Sequence, residues 1–146
     1  MNFQRHPGRK LAAVYAGGVV GALIRVGLAQ WFPPGPGTWP WPTFVANLAG
    51  ALLLGYFFAL FRDHPPESLH HPFFATGVCG TLTTFSTLQL ELYGLVDGGD
   101  LGLAAAYCAA TLAAGYLCLR IGIALERWLR PGGGAGTRVE SLGQAR

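Results

Sequence analysis

Charge is what this sequence has least of. Asp, Glu, Lys and Arg make up 12% of its 146 residues, while 51% are hydrophobic. No charged residue stands between Arg25 and Arg62, or between Glu67 and Glu91. Soluble domains carry about 25% charged residues, so a soluble globular class is excluded. Cysteine is scarce as well. Cys79, Cys108 and Cys118 fall within apolar stretches without paired spacing, which excludes a disulfide framework and a thiolate metal site and leaves small packing residues. His6, His64, His70 and His71 all stand outside those stretches. With no nucleophile, base and orienter falling together, an enzyme is excluded.

What remains is the pattern of an all-α integral membrane protein. Four stretches reach the roughly 20 residues that a bilayer crossing needs: Leu11–Phe32, Trp41–Phe61, Pro72–Val96 and Leu101–Trp128. Breakers separate them, in Pro33–Pro42, Arg62–His71 and Asp97–Asp100. Trp31, Trp39, Trp41 and Trp128 sit at the predicted ends, where indoles favour the headgroup layer. The first stretch is too long for a cleaved signal peptide, contains Arg25, and reads as a retained helix. The expected organisation is a cytoplasmic N-terminal arm (1–10), a four-helix transmembrane domain (11–130) and a Gly-rich, disordered cytoplasmic tail (131–146).

Four spans place both termini on one side. That side carries Arg5, Arg9, Lys10, Arg62, Arg127, Arg130 and Arg138, whereas the opposite loops carry no Lys or Arg, only Asp97 and Asp100. The positive-inside rule then predicts termini in the cytoplasm of a cell's inner membrane. The same asymmetry accounts for the net charge of +3 without a nucleic-acid partner.

Polar groups inside an apolar span must pair, face water or serve a function. Arg25, Asn47, Glu91 and Tyr107 come from four different spans, yet at about 1.5 Å per residue they fall at similar depth. The spacing therefore predicts a polar layer. The third span is the least ordinary, since VCGTLTTFSTLQLEL (Val78–Leu92) concentrates a glycine, hydroxyls, an amide and a carboxylate. Composition leaves two readings open. In one, the helix breaks around Gly80–Thr84 and its freed backbone meets ions. In the other, the helix is intact and its hydroxyls bond to the preceding turn. Past the break, Thr84, Thr87 and Glu91 share one helical face, with Phe85 and Leu88 beside them. Hydroxyls and aromatic ring edges both suit an anion. Gly17 and Gly21, the row Asn47, Ala51, Gly55, and the row Tyr107, Thr111, Gly115 read as close helix contacts.

These residues resemble the Fluc/CrcB family of small fluoride channels. The resemblance rests on GGVVGALIR (Gly17–Arg25), an Asn early in the second span followed by LAGALLLG (Leu48–Gly55), and GVCGTLTTFSTLQLE (Gly77–Glu91). It covers about residues 11 to 130. It implies an antiparallel dimer with a third helix broken near mid-membrane, exporting fluoride passively. It further implies a structural sodium ion held by the backbone carbonyls of Gly80 and Thr83, and a structural role for Arg25. By the same resemblance the fluoride route runs past Asn47, Phe85 and Leu88, with Thr84, Ser86, Thr87, Glu91, Tyr107 and Thr111 on or beside its polar track.

Two departures stand out. Where the family has a second phenylalanine this sequence has Leu88, and Gly115 replaces a hydroxyl found in some members. The basic residues also lie wholly on one side, which favours a single orientation. The chain is therefore expected either to homodimerise despite its bias or to pair with an oppositely oriented paralogue, in which it forms a non-conducting half or gains the missing ring. A small proton-coupled exporter is the competing reading, with Glu91 as its titratable carboxylate.

Overall fold

The computed structural model describes residues 7–130 apart from 34, 36, 66 and 67. Most of the expected N-terminal arm and the whole tail from residue 131 lie outside the described residues. The described chain is all-helical, with no strand among those residues. Helix α1 spans Pro7–Trp31 and α2 spans Trp41–Phe61. A π-helical segment, Pro72–Cys79, runs directly into one α-helical turn, α3 (Gly80–Leu82). Helices α4 (Phe85–Asp97) and α5 (Leu101–Leu129) complete the fold.

Three helices are long and apolar enough to cross a membrane: Gly8–Trp31, Trp41–Phe61 and Leu101–Leu129. The boundaries follow from local chemistry. Pro42 opens α2 at a position where its missing N–H costs nothing. Between α4 and α5 the chain reverses through Gly98 and Gly99. There Gly99 adopts φ +86°, and the Asp100 amide donates back to the Leu95 carbonyl at 2.8 Å. Only a residue without Cβ takes that conformation at no cost, and it caps the last carbonyls of α4.

Two close-packed helix pairs form the frame. Along α1, a Cβ at Gly17 would strike the Phe73 carbonyl, and one at Gly21 would strike the Val78 carbonyl and the Thr81 hydroxyl. The glycine pair thus lets α1 lie backbone to backbone on Pro72–Leu82. Helices α2 and α5 meet similarly, with Gly55 against the Leu119 carbonyl and Gly122 against the Leu52 carbonyl. Gly115, expected as a contact of this kind, faces open space instead. It lies seven residues before Gly122, on the same face of α5, but no other element comes within 4 Å of its Cβ position. A small core seats α4 against the second pair, with Leu88, Leu95, Ala104 and Tyr107 packed against Trp39, Phe44, Leu92 and Leu103.

Candidate functional site

The site forms where the run of Val78–Leu92 stops being helical. Thr83 (φ −75°, ψ 149°) and Thr84 (φ −146°, ψ 120°) are both extended, and helix resumes at Phe85. Gly80 itself remains helical (φ −66°, ψ −25°). Thr81 stays helical as well, its hydroxyl donating to the Gly77 carbonyl at 3.0 Å and to Gly18 on α1 at 2.8 Å. Thr84 then starts α4 as an N-cap, because its hydroxyl oxygen accepts the Thr87 amide at 3.2 Å. This is the role for which a short hydroxylated side chain is suited.

Extended residues inside an apolar assembly must still satisfy their backbone. Asn47 does this for Thr84 on both sides. Its Oδ1 accepts the Thr84 amide at 2.8 Å, and its Nδ2 donates to the Thr84 carbonyl at 3.2 Å. The side-chain amide thus stands in for a neighbouring peptide. Arg25 acts similarly just before the interruption, its Nε donating to the Thr81 carbonyl at 3.0 Å.

Diverting the Thr84 amide to Asn47 denies the Gly80 carbonyl the i+4 donor that an unbroken helix would supply. The Thr87 amide, committed to the Thr84 hydroxyl, is likewise turned from the Thr83 carbonyl. Gly80 is exposed on this face, with no atom within 4 Å of an added Cβ. Released carbonyl oxygens are the donors that a hard cation such as sodium takes, so the residues present fit such an ion.

The hydroxyls gather beside the interruption. Thr84 Oγ1 lies 3.0 Å from Thr87 Oγ1 and 3.3 Å from Ser86 Oγ. Each of these two contacts uses one hydroxyl hydrogen, so the three hydroxyls keep at least one hydrogen to donate outward. Asn47 likewise has a second amide hydrogen beyond the one given to Thr84. Phe85 projects at the same end of α4 with 70% of its surface exposed, whereas Leu88, one turn on, is buried at 5% in the small core.

A second cluster surrounds Glu91. Its Oε1 accepts the Thr43 hydroxyl at 2.6 Å and its Oε2 accepts the fully buried Tyr107 hydroxyl at 2.7 Å. Thr111 gives its hydrogen to the Tyr107 carbonyl on its own helix at 2.8 Å. Two of the expected donors therefore have their hydrogens directed inward, and Glu91 is held as a double acceptor. Sequence reasoning passed over Thr43. It lies four residues before Asn47, on the same helical face, and that periodicity is the signal that would have found it. The loop histidines lie apart from this site. His70 Nδ1 is 2.9 Å from Ser68 Oγ, and among the described residues no three metal-ligating side chains converge.

Known proteins share this sequence pattern. A family model described as CrcB-like protein, Camphor Resistance (CrcB), matches residues 12–123. The chain is 45% identical over 126 residues to a protein named fluoride-specific ion channel FluC 1 from Mycobacterium bovis (strain ATCC BAA-935 / AF2122/97), covering 86% of this chain and 96% of that one. The same figures hold for FluC 1 of Mycobacterium tuberculosis (strain CDC 1551 / Oshkosh). A protein named FluC 2 from Nocardia farcinica (strain IFM 10152) is 36% identical over 119 residues, covering 81% of this chain and 85% of that one.

Proposed function

This chain belongs to the CrcB family, one of fluoride ion channels and not of enzymes, and on that premise we propose that it exports fluoride passively from the cytoplasm, so lowering its toxicity. The observation that carries the reading is the two-sided capture of the Thr84 backbone by Asn47. It holds an interruption open inside an apolar chain and turns a row of donors toward one place.

The two helical halves, Pro72–Leu82 and Phe85–Asp97, together form a fourth crossing whose break lies near mid-membrane. Irregular backbone at that depth is tolerated where it is buried in protein or lines water. Fluoride is small and strongly hydrated, so a route must replace its water with donors without holding it too tightly. The second amide hydrogen of Asn47, the hydroxyl cluster of Thr84, Ser86 and Thr87, and the Phe85 and Ser86 amides in the first turn of α4 supply such donors, the last favoured by the positive end of the helix dipole. The Phe85 ring edge adds a weaker attraction. Tyr107 and Thr111 wall the route and reach the ion when their hydrogens turn outward, with Glu91 orienting Tyr107 and Thr43. Leu88 supports this wall from behind.

The working unit is an antiparallel dimer, as a homodimer or with an oppositely oriented paralogue. The Gly80 and Thr83 carbonyls would hold a structural sodium ion, which lends positive charge to the centre of the assembly. Arg25 stabilises the end of α3. The termini lie in the cytoplasm.

Fluoride efflux from liposomes holding only this purified chain tests the reading, with chloride compared. Efflux of fluoride and not chloride is expected. Asn47→Asp, which puts a fixed negative charge beside the route, should reduce fluoride flux by at least about tenfold while the dimer survives. Unchanged flux in that variant removes Asn47 from the route. Reporter fusions at the C-terminus separate the two dimers, since populations facing both sides exclude an obligatory paralogue.

A further inference from the structure

Arg120 is a charge where an apolar helix should have none. It lies nineteen residues after Leu101 on α5, about 28 Å along the axis, so a hydrocarbon core of about 30 Å beginning near Leu101 ends near Arg120. The side chain is exposed, and among the described residues its only polar partner is Tyr116, whose hydroxyl accepts from Nη1 at 2.8 Å. Arg127 is seven residues further, hence on the same face, and is also exposed. Arg130, by contrast, has its charge met by Glu126 at 3.6 Å, and Arg62 by Asp63 at 3.4 Å. Around Arg120 and Arg127 the helix surface is apolar and exposed, through Leu117, Ile121 and Trp128. A guanidinium at the hydrocarbon boundary, with an exposed indole beyond it, matches the depth and charge of a lipid phosphate.

We propose that the C-terminal third of α5 binds an anionic phospholipid, with Arg120, positioned by Tyr116, and Arg127 holding the headgroup phosphate of the leaflet at that end of the helix. The proposal rests on α5 crossing a bilayer, but not on fluoride conduction.

The test is retention of phosphatidylglycerol against phosphatidylcholine by the purified full chain, read by native mass spectrometry. Wild type should retain phosphatidylglycerol preferentially. Arg120→Gln should weaken that retention about fivefold, and Arg120→Gln with Arg127→Gln about 25-fold. Tyr116→Phe should lie between wild type and Arg120→Gln, and Arg62→Gln should match wild type. Equal retention of both lipids by wild type, or undiminished retention in the double variant, overturns the proposal. So does loss of dimer mass in Arg120→Gln with lipid retention intact, which assigns the charge to a second copy. Fluoride efflux measured on the same preparations keeps the readings apart: lost efflux with lipid retention preserved counts against the channel alone.

Discussion

The two halves of the interrupted segment are held by opposite means. Pro72–Leu82 is fastened through backbone. Gly77 lies against the Val14 carbonyl and Gly17 of α1, and Ala75, Val78, Cys79 and Leu82 are buried. Phe85–Asp97 is fastened through side chains. Glu91 reaches Thr43 and Tyr107, Leu88 and Leu95 enter the small core, and Phe85, Leu90 and Tyr93 remain exposed. One half is thus an anchor without room for change, and the other presents polar atoms from a looser mount. An ion route needs both, since an opening between helices persists only when one side is rigid.

The largest expected effect comes from the anchor. At Gly77 an added Cβ would sit 2.7 Å from the Val14 carbonyl oxygen and 2.9 Å from Gly17 Cα. Both are backbone atoms, so neither can turn aside. Gly77→Ala should cost about 3 kcal/mol, read as a lowered midpoint of thermal unfolding in detergent. A midpoint equal to wild type would show that α1 and this half are not tightly seated.

Next comes the joint between the halves. Asn47→Ala leaves the Thr84 amide and carbonyl without their partners, at a cost of about 2 kcal/mol. The midpoint should fall by less than in Gly77→Ala, and fluoride flux should fall with it. If stability drops but flux per folded dimer is kept, Asn47 is a brace only.

Leu88→Phe probes the departure from the family pattern. The family resemblance suggests that restoring a ring would complete a pair with Phe85. The buried position of Leu88 predicts overpacking instead, costing about 1 kcal/mol and leaving flux no higher than wild type. Raised flux would mean that α4 moves to expose position 88.

Much of this was legible in the sequence because membrane physics writes in long periods. The three uninterrupted helices, the Gly98–Asp100 reversal and the Gly17–Gly21 contact all follow from run length or i+4 spacing. The reading lost accuracy where a local choice resets the pattern. Phe85 and Leu88 looked alike on a helical wheel, yet Phe85 occupies the first turn after the interruption, beyond any neighbouring helix, while Leu88 has reached the cover of α5. Gly115 looked like Gly55 and shares a face of α5 with Gly122, yet only Gly122 meets the α2 backbone, because close approach depends on where two helices cross and not on the stripe alone. Glu91 looked open to several roles because its partners, Thr43 and Tyr107, are far away in sequence.

The smallest effect gives the sharpest form of the comparison. Gly94 lies in α4 with no atom within 4 Å of an added Cβ, so the change that disrupts the first half should be accepted here. Removing a helix-interior glycine gains up to about 1 kcal/mol in propensity, and fraying near the C-terminal end of α4 reduces that to about 0.5 kcal/mol. Gly94→Ala should therefore raise the unfolding midpoint slightly and leave flux unchanged. If it lowers the midpoint, something outside this chain covers α4 at Gly94. The looser mount of the second half would then describe the single chain and not the proposed dimer, in which a surface open in one protomer would be closed by its partner.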